Sequence, residues 1–391
     1  MSAVNAGWLA GSANATAGLQ AILDAGNSLY LPAGPYITDA LTLSYAGQRV
    51  FGDGASTILR QRTAGGHLLI AQASDIELVD FRAEGIESAA GNGSFAVYTA
   101  QANPAVGLKI RRLKVSGADG SHGFNNAIKV DGSCDHALVE GCTIERLWGG
   151  TSGNGYGVLG AGNFLRVLNN DTLMANGRGR HGIYFSAGCS DSVAQGNLVT
   201  GSTFEGITQY SQGGQSPCAR NVIDGNRVLG CVTASNSSAG AIGVYGHAVD
   251  TRITHNTVTD SGEKGIVCDG TTFTDLLSSV VEGNTVLRSD TIGIDFIAVQ
   301  SGTIRRNHVH ESSQDSPGYL YSNIRLISDN TTACVDTFVE GNRSTGTSFA
   351  RSPFQINPST PVPTGTRLWA NYFPTCATAG IETNGVSCTI D

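Results

Sequence analysis

Two short phrases recur along this chain in step with one another, and that recurrence limits the fold more than any other feature. One phrase is Asn-x-Val, seen at Asn197-Leu-Val199, Asn226-Arg-Val228, Asn256-Thr-Val258, Asn284-Thr-Val286 and Asn307-His-Val309, with weaker copies at Cys142-Thr-Ile144 and Asp171-Thr-Leu173. The other is a small residue, then Ile or Val, then any residue, then an apolar one. Its copies are Ala127-Ile128-Lys-Val130, Gly157-Val158, Gly182-Ile183-Tyr-Phe185, Gly206-Ile207, Ala241-Ile242-Gly-Val244, Gly265-Ile266, Gly293-Ile294-Asp-Phe296 and Asn323-Ile324-Arg-Leu326, about 24 to 35 residues apart. A fixed period in this range marks an array of stacked supersecondary units.

Each phrase has the length and alternation of a short strand, with Ile and its i+2 partner facing inward and the residue between them facing solvent. No single repeat could bury those inward residues. Stacking one coil on the next at about 4.8 Å would pair the strands in parallel and join the inward residues into aliphatic columns. Asn at a fixed turn position would form a ladder, each amide bonding its neighbours above and below. Propeller blades would need about 40 residues each and hairpin turns, which the sequence lacks. The expected fold is all-β: a single right-handed parallel β-helix, a solenoid with a short N-terminal capping helix and an irregular C-terminal cap.

The ends are read separately. Leu19, Ile22 and Leu23 make a helical stripe before Gly26, followed by a strand-and-turn segment from Leu29 to Ile37. A helix there would cover the open first coil. Residues 1–50 are therefore expected to be cap and entry strands, and residues 51–350 the β-helix. After about residue 350 the repeat is expected to lapse, because five of the ten Pro fall between Pro353 and Pro374. Residues 351–391 then read as a cap or a subunit contact.

Composition excludes several classes. Charged residues are only 14% of the chain, the net charge is -8, and no basic cluster is interleaved with aromatics, so a nucleic-acid partner is not expected. No apolar run is long enough to cross a membrane, and no export signal is visible at the start. The nine Cys show no metal spacing and read as small apolar fillers, with Cys376 and Cys388 close enough in sequence to pair. Gly155-Tyr-Gly-Val-Leu-Gly160 matches a dinucleotide fingerprint in letters alone, since it sits in a coil with no helix after it. The motifs call for no cofactor; calcium is the one ion that carboxylates of adjacent coils could gather.

With these residues in place, the chain resembles the pectate-lyase-like superfamily of right-handed β-helices, which includes polysaccharide lyases, glycosidases, alginate epimerases and phage tailspikes. The segment GLQAILDAGNSLYLPAGPYI followed by VFGDGASTILR looks like the entry segment of pectate-lyase-type tailspikes. Arg180-His-Gly-Ile-Tyr-Phe-Ser186 with Asp191-Ser-Val193 is similar to a coil of mannuronan epimerases and phage depolymerases, although their Asp-Pro-His signature does not occur. The resemblance implies carbohydrate binding, a tailspike-like homotrimer, and a place outside a cell, on its surface or on a virion.

Aligning the second phrase gives a surface map. The outward residue after each Ile is Lys129, Leu159, Tyr184, Thr208, Gly243, Val267, Asp295 and Arg325. Two positions on lie Asp131, Ser186, Tyr210, Tyr245, Asp269 and Ile297, and in the preceding turn Asn126, Tyr156, His181, Glu205, Gly240, Lys264 and Ile292. His181 and Glu205 are expected one strand spacing apart, with Tyr184 and Tyr210 beside them and Arg178 and Arg180 in the same turn. His181, Tyr184, Glu205 and Arg180 are the candidate catalytic residues. Arg178, Lys129, Asp131, Tyr210, Tyr245 and Asp269 are the candidate substrate-binding residues.

Two chemistries fit. In β-elimination, His181 or Tyr184 would take the C5 proton of a uronic acid while Arg178, Arg180 or Lys129 neutralised its carboxylate. In hydrolysis, Glu205 with Asp131, Asp269 or Asp295 would supply the paired carboxylates. Each residue also has a bland reading. A turn His is most often a surface residue, a His-Glu contact can be a weak cross-coil pair, and exposed Tyr can stack sugars without catalysis. Asp295 and Arg325 read as a structural ion pair. The expectation is a polysaccharide depolymerase acting on a bacterial or algal glycan, with β-elimination slightly favoured. Hydrolysis, C5 epimerisation and a non-catalytic adhesin stay open.

Overall fold

The computed structural model describes residues 2–88, 93–100, 102–148, 155–174, 179–212, 214–232, 239–271, 276–312, 322–328, 332–346, 354–357, 363–373 and 389–390. Cys376, Cys388 and Arg178 lie outside the described residues. The chain forms two compact units, one of residues 1–184 with 192–198 and the other of 185–191 with 199–391.

In the first unit, helix α1 (Thr16–Asp24) buries Leu19 and Leu23 against the strands Ser28–Leu31 and Leu41–Leu43, as the apolar stripe predicts. It ends where Gly26 takes φ 75°, a left-handed position that suits a residue without Cβ. Beyond the cap, the strands Leu69–Ala71, Phe95–Thr99, Asn126–Val130 and Tyr156–Gly160 follow Leu41–Leu43 as parallel neighbours. His181–Phe185 lies next to Tyr156–Gly160, with the Arg180 and His181 N–H groups both donating to the Gly155 carbonyl. Val97, Ile128, Val158 and Ile183 point inward and are fully buried, forming one aliphatic column of the core. Each such side chain contributes about 1.5–3 kcal/mol by leaving water. The Gly155–Gly160 run is strand from Tyr156 onward, with no helix after it among the described residues.

The second unit repeats the scheme. Ile207–Ser211, Gly240–Gly246, Lys264–Asp269, Ile294–Ile297, Ile324–Ile327 and Phe354–Asn357 pair in parallel in that order. The Asn-x-Val strands Arg227–Leu229, Thr257–Thr259, Thr285–Leu287, His308–His310 and Arg343–Thr345 form a second parallel run. Val244, Cys268, Phe296, Leu326 and Ile356 share one inward column with Gln209. The buried Gln209 amide is satisfied by Thr251 at 2.9 Å and Asn221 at 3.1 Å.

The Asn ladder is present. In the second unit each amide nitrogen of Asn226, Asn256, Asn284, Asn307 and Asn342 donates to the side-chain oxygen of the next Asn, ending on Asn371, at 2.9–3.0 Å. Four of these nitrogens also donate to a carbonyl one coil back, as Asn256 does to Ile223 at 2.9 Å. Replacing Asn256 by Ala will remove two donations and strand the buried donors of Asn226, at about 2–4 kcal/mol. Chemical denaturation checks this; a cost under 0.5 kcal/mol would show the ladder to be passive.

Two expectations change. The weak copy read as Asp171-Thr-Leu173 is one residue out: Thr143 pairs with Asp171, so Asn170 is the ladder position and receives the Cys142 N–H at 2.9 Å. The pairing also continues past residue 350, since Phe354–Asn357 and Arg367–Trp369 each add a strand. Cys134, Cys142, Cys189, Cys218, Cys231, Cys268 and Cys334 are buried free thiols, the filler role expected of them. Burial pushes Cys142, Cys218 and Cys334 up to about 12.

Candidate active site

The columns of the second unit follow the phrase alignment in register, but the one expected to face solvent is covered: Thr208, Val267 and Asp295 are at most 1% exposed. Thr208, Gly243, Val267, Asp295 and Arg325 share one column, and Tyr210, Tyr245, Asp269 and Ile297 share the next. Asp295 is fully buried, and the Arg325 guanidinium grips it at 2.8 and 2.7 Å, the ion pair expected from the sequence. Lys264, reaching over from the turn column and itself 4% exposed, adds a third donor at 2.9 Å. Burial alone would raise this carboxyl, yet the charges and hydrogen bonds of Arg325 and Lys264 outweigh it and bring it down to about 2. Asp295 is therefore a fixed anion.

Asp269, one column away, has the opposite character. Burial pushes its carboxyl up, only partly opposed by the Thr271 N–H donating to it at 2.8 Å, and the nearby Asp295 charge pushes the same way. Tyr245 stands between Asp269 and Glu205. Its hydroxyl accepts the Gly240 N–H at 2.9 Å and hydrogen-bonds Glu205, and burial followed by the charges of Glu205 and Asp269 holds the phenol well above its usual value. Tyr245 thus stays protonated and serves as a donor. To reach Gly240 its ring folds back over Gly243, where any Cβ would lie 2.2 Å from a ring carbon, so Gly243 has to be Gly. Tyr210 sits beside Tyr245 with ring centroids 6.4 Å apart. Glu205, Tyr245 and Asp269 with the Asp295 triad form one group.

The first unit holds the other candidates. His181, 5% exposed, stacks on Tyr156 at 5.2 Å, and Tyr184 meets both rings edge-on at 5.2 and 5.1 Å. Arg180 is partly exposed in the turn before them. Lys129 is ion-paired with Asp131 at 2.9 Å. Two residues passed over in the sequence join them: Tyr98 lies under the Lys129 ammonium, 4.8 Å from ring centre, and His67 stacks on Tyr98 at 3.9 Å. Their strands lack the small-Ile phrase, so only the pairing of Ile70 with Tyr98 reveals them. Among the described residues no group of three or more His, Cys, Asp or Glu is placed to hold a metal ion.

Residues 95–277 match the family model described as a right handed beta helix region. No curated protein matches the chain in sequence. Among solved structures, the Dettilon tailspike protein is similar at 16% identity and TM-score 0.65, covering 97% of this chain and 68% of its own. The A-module of the mannuronan C-5 epimerase AlgE4 of Azotobacter vinelandii is similar at 14% identity and TM-score 0.55, with 99% and 97% coverage. The catalytic domain of a GH87 alpha-1,3-glucanase, solved with tetrasaccharides, is similar at 12% identity and TM-score 0.61, with 88% and 64% coverage. These likenesses show the fold, and the chain is a right-handed parallel β-helix protein.

Proposed function

We propose that the protein is a polysaccharide depolymerase that cleaves its glycan by hydrolysis. The observation that carries this reading is a carboxylic acid pushed up by burial, Asp269, paired across the sheet with Tyr245, a protonated phenol that hydrogen-bonds a second carboxylate, Glu205. Asp269 would give its proton to the glycosidic oxygen, and Glu205 would take one from the water that attacks the anomeric carbon. Glu205 falls in the column of Lys264 and Asp269 in that of Tyr245, so their backbones are two strand spacings apart across the sheet and five residues apart along it, roughly 19 Å. The Tyr245 ring starts in the Asp269 column and reaches back to Gly240 in the Glu205 column, spanning that offset. Two of the solved structures named above, the mannuronan C-5 epimerase and the alpha-1,3-glucanase, are glycan-acting enzymes by name and support the class.

A lyase needs cations to hold a uronate, and here Lys129 is matched by Asp131 while Lys264 and Arg325 are matched by Asp295. The second reading is β-elimination with His181 or Tyr184 as base and Arg180 as the cation, favoured by the His181 ring held between Tyr156 and Tyr184. A homotrimeric, tailspike-like assembly on a virion or outside a cell is the setting we propose for either.

Incubation with neutral and uronate-containing polysaccharides separates the readings. Chain shortening without new absorbance from unsaturated uronate ends is the expected result. New absorbance would replace hydrolysis by elimination. Altered uronate composition at constant length would mean an epimerase, and binding without shortening an adhesin.

A further inference from the structure

We infer that the first unit carries its own sugar-binding subsite, formed by Tyr98, Lys129 and Asp131, which takes a neutral pyranose by two adjacent hydroxyls. The inference rests on the reading that the ligand is a glycan, and adds where, and by what chemistry, a sugar away from the cleaved bond is held.

Lys129 and Asp131 are two residues apart, on and just after the strand Asn126–Val130, and so face the same way. Their contact at 2.9 Å leaves the side chains 25% and 15% exposed, reachable from solvent yet partly desolvated. The Asp131 backbone N–H is fixed on the Thr99 hydroxyl at 2.7 Å, and its carboxylate accepts the Gly132 N–H at 2.8 Å. The ammonium stands 4.8 Å from the centre of the Tyr98 ring, and that ring is immobilised by its stack on His67. Burial, and then the Lys129 charge, lower the His67 pKa, so the imidazole in the stack is neutral.

Lysine has three N–H donors, and the carboxylate has lone pairs beyond those already engaged. A donor and an acceptor fixed side by side complement a vicinal diol, one hydroxyl accepting from the ammonium and the other donating to the carboxylate. Ile70 and Leu159 are partly exposed and flank Tyr98 and Lys129 in the same outward column. They offer apolar surface to the C–H face of the ring. Because the ammonium charge is balanced by Asp131, a uronate gains no net attraction here.

The test uses the full chain carrying Asp269→Asn, so that the probe is not consumed. A glycan array of neutral and uronate-containing tetrasaccharides selects the neutral tetrasaccharide with the highest signal, and calorimetric titration then compares Tyr98→Ala, Lys129→Gln and Asp131→Asn with the parent. Each substitution is expected to weaken Kd about tenfold or more, the scale of one lost charge-assisted hydrogen bond. In chains with Asp269 intact, KM should rise while kcat at saturation changes less than about twofold. Kd values unchanged within about twofold in the three variants would overturn the subsite. Uronate probes binding more tightly than neutral ones would overturn its selectivity. If the parent binds no glycan, the depolymerase reading itself fails, a result distinct from binding that the three variants leave intact.

Discussion

Asp269→Asn is expected to lower kcat by about 10²–10⁴ while leaving glycan binding nearly intact, because it removes a general acid and keeps the shape of the side chain. The position is suited to this work: burial holds the carboxyl protonated to higher pH than a solvated Asp, and a protonated carboxyl can donate to a departing oxygen. The sign of the pH dependence follows. In the native enzyme activity should fall on the alkaline side as pH rises through the raised pKa of Asp269, and in the Asn variant that limb should vanish. Substrates with a leaving group that departs without protonation, such as a nitrophenyl glycoside, should lose far less rate than the natural linkage. Equal losses on both would remove Asp269 from the acid role, and a kcat within about threefold of native would remove it from catalysis.

The largest stability effect is expected at Asp295→Ala. Asp295 is fully buried with Lys264 and Arg325 both on it, and removal leaves two cations around an emptied site. Breaking a buried ionic group from one side costs about 3–5 kcal/mol, measurable by urea denaturation. The control is Asp295→Leu with Lys264→Met and Arg325→Met, in which no charge is stranded and much of the loss should return. If the triple change is as unstable as the single one, the loss comes from volume rather than charge. The same group sets an acid limit. A carboxyl near 2 in the fold and 3.8 in the unfolded chain stabilises above pH 3.8, by roughly 2 kcal/mol, and this is lost as pH falls from about 4 toward 2. The raised Asp269 acts oppositely, since it favours folding when protonated and gives up that advantage as pH climbs past the unfolded value.

The columns of this fold were readable in the letters because parallel stacking pairs one phrase with the next with no offset. Gly243 opposite Val267, and Val267 opposite Asp295, follow from alignment alone. What the alignment misses is reach. Lys264 belongs to the turn column, but its long side chain crosses to Asp295, and Tyr245 bends back over Gly243 to Gly240. Side-chain length and rotamer, not register, decide those contacts. The misplaced Asp171 copy has another cause: Asn169 and Asn170 stand together, and the strand pairing of Thr143 with Asp171 and the hydrogen bond from Cys142 tell which occupies the ladder. His67 and Tyr98 escaped notice because their coils precede the part of the chain where the phrase is clear.

The thiols have a consequence for where such a molecule can be made and used. Cys142, Cys218 and Cys334 are sealed in the coils and held near 12, so almost none is thiolate at neutral pH, and thiolate is the form that oxidants and disulfides attack. A chain stapled by cystines would need an oxidising compartment to mature and would loosen on meeting glutathione. These interior sulfurs make no such demand, so passage from a reducing cell interior to open medium should leave the described cysteines chemically unaltered.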